Sequence, residues 1–361
     1  MRNRTVQKAL GELKTAVCLL PKQFNNIVVG VSGGADSLAL LKVCTIRYPG
    51  RVNAVIIDHQ LQNGSDVVAA KAAAICEKLG VPTTVLRVDV GGSHNLEENA
   101  RDERYVALLG CVKEDDVLML GHTQNDQAET VLLGLGRGSG LSAVKGMPQF
   151  AWRTAGEIST GISGAGTIEK PYTRILLRPF LQAITRSDTE EICQLYDLDY
   201  YSDPTNGVVG LVDVSLPNRS RIRNEVLPRL VDVFPGIIQN LTRTATLSTA
   251  DLEFLDDLAN DALKQCLLEG SLAIEKLMLL NVAIRRRVIR LWLKSMGVQG
   301  SGLEFAKIDA VDDMILNRGL GGKTVDICKG VQVVKSLEHQ TERPSTKLIL
   351  KTTLHNDYAI I

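Results

Sequence analysis

Three small residues, one carboxylate and two hydroxyls crowd into Ser32-Gly33-Gly34-Ala35-Asp36-Ser37, between the apolar run Ile27–Val31 and the helix-forming run Ser37–Ile46. Glycines there let a backbone turn tightly and approach a ligand closely. The first amides of a following helix have no partner inside it and point outward, toward an anion. Ser32 and Ser37 can add hydroxyl donors. Asp36 is the odd member, because a carboxylate beside phosphate is repulsive unless a cation lies between them. It therefore points to Mg2+ held jointly by Asp36 and a polyphosphate. The spacing matches neither G-x-x-x-x-G-K-[ST] nor G-x-G-x-x-G. The plain alternative is an ordinary strand–turn–helix with an acid at the helix start.

A second group of reactive side chains lies in "GHTQNDQAETVLLGLGRGSGLSAVKGM", residues 121–147. Asp126 and Glu129 are three apart, on one face of a helix. With Asp36 they suit a metal, bound by Asp36 and Asp126, and a cationic amine. Arg137-Gly138-Ser139-Gly140 forms a second small-residue loop whose arginine could hold a phosphate or a developing charge. The alternative is a helix with favourable acids at its start and a glycine at its end. Farther on, Arg219, Arg221 and Arg223 suit a nucleic-acid phosphate backbone, or ion pairs with acids such as Glu225. In "IRRRVIRLWLKSMG", Arg286, Arg290 and Lys294 line one helix face, opposite Ile284, Val288, Leu291 and Trp292. That face is an RNA contact or a solvated surface. His59 and His122 read as hydrogen-bonded structural residues, since no third histidine or cysteine shares their spacing.

The elements that must position these groups are legible in residues 26–123. Ile27–Val31, Val52–Ile57, Thr83–Val88 and Val117–Leu120 read as strands buried on both faces. Ser37–Ile46, Val67–Leu79 and Leu96–Leu109 between them have helical spacing. Such alternation predicts an α/β fold with a parallel sheet and right-handed crossovers, its site outside the carboxyl ends of the strands. Both motifs fall at such ends. "ILLRPF" reads as a further strand, and "TRSDTEEICQLY" as a helix with Ser187 and Glu190 at capping-box spacing. Residues 155–167 read as a surface loop. The expected organisation is an α/β domain over 1–235 and a helical linker over 236–268, its acids on a solvated face. A smaller α-rich or α+β unit over 269–340 and a tail over 341–361 follow.

Composition narrows the class. The chain has 361 residues with no formal net charge, so no global basic field advertises nucleic acid, though local patches remain open. Aromatics make up 4%, too few for extensive base stacking. The seven cysteines never form C-x-x-C. They fit a reducing compartment without a disulfide framework or a cysteine-ligated metal. The expectation is a cytoplasmic protein without a secretory segment, a membrane-spanning run or a membrane partner.

Ser-Gly-Gly-x-Asp-Ser after a first strand resembles the PP-loop of the ATP-pyrophosphatase superfamily, whose members use ATP to adenylate an oxygen and let a nucleophile displace AMP. Residues 121–147 resemble the signature G-H-x-x-D-D-Q-x-E-T…R-G-S-G-L…G-M of the tRNA(Ile)-lysidine synthetase family. "IIDHQLQ", "NLEENARDERY", "RPFLQ…DPTN", "NRSRIRNEVLPRL" and "IDAVDDMI…GGKTVDI" resemble its further blocks, over roughly residues 26–335. Three positions depart from the family pattern: Asn125 for the first Asp of the pair, Gln62 for an arginine and Ser220 for an asparagine.

The resemblance implies ATP and Mg2+ as cofactors, with L-lysine and a CAU-anticodon tRNA(Ile) as substrates. It implies a nucleotide site of Ser32, Gly33, Gly34, Ala35, Asp36, Ser37, Ile57, Asp58, Gly121, His122, Arg137, Gly138 and Ser139. Asp36, Asp126, Glu129 and Arg137 would carry the chemistry, Glu129 or Asp126 taking a proton from the lysine amine. Glu97, Arg101 and Tyr105 would lie on a helix edging the site, Arg101 as a substrate contact or a structural ion pair, and Arg178 with Asp203-Pro204-Thr205-Asn206 would shape its far wall. Arg219, Arg221, Arg223, Arg286, Arg290 and Lys294 would meet the tRNA. A homodimer is left open. The competing readings are another PP-loop tRNA-modifying enzyme, such as a thiolase, and a non-catalytic RNA-binding protein with a relic ATP site.

Overall fold

The runs rich in β-branched residues form the middle of a sheet. In the computed structural model, which describes residues 3–58, 64–87, 105–138, 140–154, 173–202, 217–317, 323–339 and 344–352, six strands pair in the order β3-β2-β1-β4-β6-β5. They are β1 (Ile27–Val31), β2 (Val52–Asp58), β3 (Thr83–Arg87), β4 (Val117–Leu120), β5 (Phe150–Thr154) and β6 (Thr173–Leu177). Every pairing is parallel except β5 with β6. Helices α1 (Arg4–Val17), α2 (Ala35–Arg47) and α3 (Ser65–Lys78) supply one covering layer. Ile27, Val29 and Val31 pack into that layer with Leu38, Leu41 and Cys44. Val28 faces the other way, toward Leu108, Leu109 and Leu118. This two-sided burial explains why β1 and β4 are continuously apolar rather than alternating.

From β1 the chain moves outward to β2, whereas β4 lies on the other side of β1. The connections on the two sides diverge at that point and leave a crevice beyond the carboxyl ends of β1 and β4. Two helices begin there: α2, after β1, and α4 (Gln124–Arg137), after β4. A third, α5 (Arg186–Leu195), packs on α2. Its capping box is one frame from the expected one. Thr185, not Ser187, is the N-cap, and Asp188, not Glu190, returns a carboxylate to the Thr185 amide at 2.8 Å. The helix starts earlier because Thr185 already has an extended backbone, at φ −91° and ψ 166°.

The chain divides into two compact units, Met1–Gly138 with Ala143–Thr246, and Ser139–Ser142 with Leu247–Ile361. Helix α6 (Ile237–Cys266), 30 residues long, carries the chain from one to the other. The second unit holds an antiparallel sheet in the order β7-β8-β11-β10-β9. Its strands are β7 (Leu267–Leu268), β8 (Ser271–Ala273), β9 (Thr324–Cys328), β10 (Val331–His339) and β11 (Pro344–Thr352). Strand β11 comes from the stretch set apart in sequence as a tail. Helices α7 (Val282–Ser295) and α8 (Phe305–Leu316) pack together through Val288, Ile289, Trp292, Leu293, Ile308 and Val311.

The basic helix α7 is less bare than its own sequence suggests. Arg285 is buried against Asp312. Arg286 pairs with Asp309 and, at 3.0 Å, with Asp312. The acids come from α8, beyond the reach of a reading confined to one helix. Arg286 is thereby corrected from a free RNA contact to a braced one. Arg290 and Lys294 stay exposed and make no ion pair among the described residues.

Candidate active site

The loop after β1 is held from several directions. Gly33 has φ +84°, a left-handed conformation that a glycine adopts without strain. Its carbonyl accepts from the Tyr201 amide at 2.9 Å. The Ser37 hydroxyl donates to the Gly34 carbonyl at 2.9 Å and accepts from the Ser32 amide at 3.2 Å. Ser32 to Ser37 therefore form a pre-set strand–turn–helix in which α2 opens with Asp36 in its first turn.

Beside it, Gly121 ends β4 where no side chain fits. A Cβ there would stand 2.7 Å from the Asp36 backbone oxygen and 3.0 Å from the Ser37 Cα. The two strand ends can approach only because this residue is glycine. Ile57 and Asp58 end β2, the neighbour of β1 on the other side. Asp58 is buried and accepts from the Ser65 hydroxyl at 2.7 Å. His122 follows Gly121 at the same edge.

Helix α4 brings its carboxylates to this crevice. Asp126 accepts through one oxygen from the Thr123 amide at 2.8 Å and the Thr123 hydroxyl at 3.0 Å, so the residue that opens α4 also fixes its carboxylate. Glu129, one turn on, is wholly buried. It accepts from Arg223 Nε at 2.7 Å, Arg223 Nη2 at 3.1 Å and Arg219 Nε at 2.8 Å. Arg219 also donates to Asp126 at 3.1 Å. Both arginines stand on a helical run over residues 218–233 that contains a π turn, Ile222–Val226. The guanidiniums of Arg219 and Arg223, expected at the tRNA, close on the carboxylates of α4. Arg221 pairs with Glu225 at 3.5 Å, as the alternative reading allowed.

A third guanidinium, which the sequence reading passed over, completes the cluster. Arg186, the first residue of α5, lies 3.8 Å from Asp36, 3.5 Å from Asp126 and 3.6 Å from Glu129. Three acids and three arginines thus share one pocket. Asp36 still feels its surroundings: burial first, and then the charge of Asp126, push its carboxyl up to about 6, against the hydroxyl of Thr189 and the charge of Arg186. The signal for Arg186 was available. A cation in the first turn opposes the helix dipole, so an arginine there needs another reason to be present.

Three expected site residues lie apart from this pocket. Arg178 is buried, donating from Nη1 to the Pro148 carbonyl at 2.8 Å and from Nη2 to the Tyr105 hydroxyl at 3.2 Å. It braces the end of β6 against these neighbours. Arg137 and Gly138 are exposed at the far end of α4. At 1.5 Å rise per residue, Arg137 is about 16 Å along the axis from Asp126. Arg101, His59, Glu97, Ser139 and Asp203-Pro204-Thr205-Asn206 lie outside the described residues. The position where the family pattern departs has a definite place: Asn125 Oδ1 accepts from the Arg186 amide at 3.0 Å.

A parallel sheet, a Gly-rich loop opening α2 and acids converging from α4 at the switch point define a PP-loop nucleotide-binding domain. The family model described as "PP-loop domain" matches residues 3–230, and one described as "TilS substrate binding domain" matches residues 272–336. The tRNA(Ile)-lysidine synthase of Nocardia farcinica is 37% identical over 309 residues, covering 85% of this chain and 87% of that one. That of Rhodococcus erythropolis is 38% identical over 302 residues, 83% of each chain. That of Mycobacterium tuberculosis is 39% identical over 304 residues, 82% of this chain and 83% of its own. The chain belongs to the tRNA(Ile)-lysidine synthase family, a family of ligases.

Proposed function

We propose that the chain ligates L-lysine to C2 of the wobble cytidine in a CAU-anticodon tRNA(Ile), using ATP. ATP adenylates the C2 carbonyl oxygen and releases pyrophosphate. The ε-amine of lysine then attacks C2, AMP leaves, and lysidine remains. The observation that carries this reading is the convergence, at the carboxyl ends of β1 and β4, of the PP-loop with Asp36, Asp126 and Glu129. Activation is needed because the carbonyl is a poor electrophile and its oxygen a poor leaving group. The amides of the PP-loop and the start of α2 suit the phosphates.

The pocket fits Mg2+. Burial first, and then the charge of Asp126, raise the Asp36 carboxyl to about 6, and a hard cation beside it would favour its ionised form. Mg2+ is ordinarily held by one or two carboxylates together with substrate phosphates. When bound, it would neutralise charge on the departing pyrophosphate. The lysine amine arrives as a cation, with a pKa of about 10.4, and must shed a proton to attack. Of the two carboxylates considered for taking it, Asp126 is the more accessible, its side chain 10% exposed against 0% for Glu129. Glu129 instead holds Arg219 and Arg223 in place.

Arg290 and Lys294 serve as tRNA phosphate contacts in this reading. Changing both to Ala is expected to weaken tRNA binding and to flatten its salt dependence by about 2 in log–log slope. Filter binding across a salt series checks this; an unchanged slope would return both residues to a solvated face. Among the described residues no helix is long and apolar enough to cross a membrane, and we place the reaction in the cytoplasm, with its tRNA. The reading is tested by incubating the protein with Mg·ATP, L-lysine and unmodified CAU tRNA(Ile) and measuring AMP. Formation of AMP that requires the tRNA and disappears in Asp36→Ala is expected. ATP turnover that ignores the tRNA would sink it.

A further inference from the structure

Arg186 differs from the other two guanidiniums of the pocket in how it is held. Arg219 and Arg223 are hydrogen-bonded to Glu129 at 2.7 to 3.1 Å. The three ion pairs of Arg186 all lie between 3.5 and 3.8 Å, and its side chain makes no hydrogen bond among the described residues. Its N–H donors are therefore close to three carboxylates but committed to none. It is also the guanidinium of the three that reaches Asp36, the acid of the PP-loop. Both side chains are partly exposed, Arg186 to 25% and Asp36 to 27%. A planar fork of donors in that position matches a phosphate oxygen pair.

What holds Arg186 there is a bond from another helix. As the first residue of α5, Arg186 has a backbone N–H with no partner in its own helix. Asn125, at the start of α4, accepts that N–H at 3.0 Å across 61 positions of sequence. Gln124 adds two bonds in the same place, from its amide to the Ile184 carbonyl at 2.9 Å and from its side chain to the Gln182 carbonyl at 2.7 Å. The start of α4, which carries Asp126 and Glu129, is thus tied to the start of α5, which carries Arg186.

We propose that Arg186 contacts the phosphates of ATP beside Asp36, and that Asn125 is the positioning residue that sets it there. The proposal rests on the PP-loop taking ATP. Asparagine suffices at position 125 because the bond needs an acceptor and not a charge. Aspartate would accept the same N–H, and its charge would suit a helix N-terminus.

The test is equilibrium dialysis of labelled Mg·ATP against the full chain and the variants Arg186→Ala, Arg186→Lys, Asn125→Ala and Asn125→Asp, with lysine KM measured in parallel. Arg186→Ala is expected to weaken ATP about 10- to 100-fold, the worth of a charge-assisted bond. Arg186→Lys should recover part of that loss. Asn125→Ala should weaken ATP about fivefold, the worth of a lost cap, and Asn125→Asp should restore it. Lysine KM should change less than ATP affinity in every variant, because Asp126 and Glu129 keep Arg219 and Arg223 beside them, whereas a general loosening of the fold would move both alike. Wild-type affinity in folded Arg186→Ala would overturn the proposal, as would equal losses in ATP affinity and lysine KM. Failure of the unaltered chain to bind ATP would instead remove the nucleotide reading beneath it.

Discussion

Glu129→Gln is expected to lower the unfolding free energy of the first unit by about 3–5 kcal/mol, the usual loss when one partner of a buried charge network is removed. The carboxylate is fully buried and accepts three hydrogen bonds from Arg219 and Arg223. Glutamine has nearly the same shape but offers one acceptor oxygen and turns an NH2 group toward a guanidinium. Two arginines then lose their closest counter-charge, and the pocket changes from balanced to net positive. Urea unfolding followed by far-UV circular dichroism would show an earlier first transition with its slope kept. A loss below about 1 kcal/mol would mean that the arginines find other partners, and that the cluster is looser than its distances imply. Activity should fall together with stability, because the same arginines border Asp126.

Gly121→Ala is expected to act in the opposite proportion, with a large loss of activity and a modest loss of stability. The added Cβ would meet backbone, the Asp36 carbonyl at 2.7 Å and the Ser37 Cα at 3.0 Å, rather than a side chain that can swing away. Either the end of β4 or the start of α2 must shift. Overpacking of this kind costs about 1–3 kcal/mol. A shift of about 1 Å at the PP-loop is enough to reduce turnover on the order of 100-fold. Single-turnover AMP formation at saturating ATP, lysine and tRNA measures the effect. Near-normal turnover in Gly121→Ala would show that the approach of the two strand ends does not set the geometry of the reaction.

These two positions also show what a sequence can and cannot disclose. The strands that carry the site were legible because burial on both faces leaves an unbroken apolar run, as in Val117–Leu120. The acids were legible because Asp36 closely follows Gly33 and Gly34, and Asp126 and Glu129 sit three apart near a helix start. The partners of those acids were not. Arg219 and Arg223 advertise charge in the sequence, but their carboxylates lie 90 to 94 positions away. Nothing local distinguishes a clamp for phosphate from a clamp for Glu129. The same blindness affected α7, where Arg286 looked bare until α8 brought Asp309 and Asp312 against it.

The partners of Arg178 were equally out of sight: it turns inward and bonds the Pro148 carbonyl and Tyr105, 30 and 73 positions away. Arg186 was hidden by its neighbours. "TRSDTEE" reads fluently as a capped helix start, and the capping signal masked the cation that a helix start does not favour. Asn125 likewise looked like a defect in a metal pair until its bond to the Arg186 amide gave it a role of its own.

The central claim, that this pocket joins lysine to a tRNA base at the expense of ATP, is tested most directly by following labelled L-lysine. Pure protein is incubated with Mg·ATP and unmodified CAU tRNA(Ile), the tRNA is digested, and the nucleosides are separated. The account predicts label in a single modified cytidine. The label should require ATP, resist mild alkali, and be absent with Asp36→Ala. Label that mild alkali removes would place the lysine on the terminal ribose and contradict the account, as would AMP formation with lysine never entering a nucleoside.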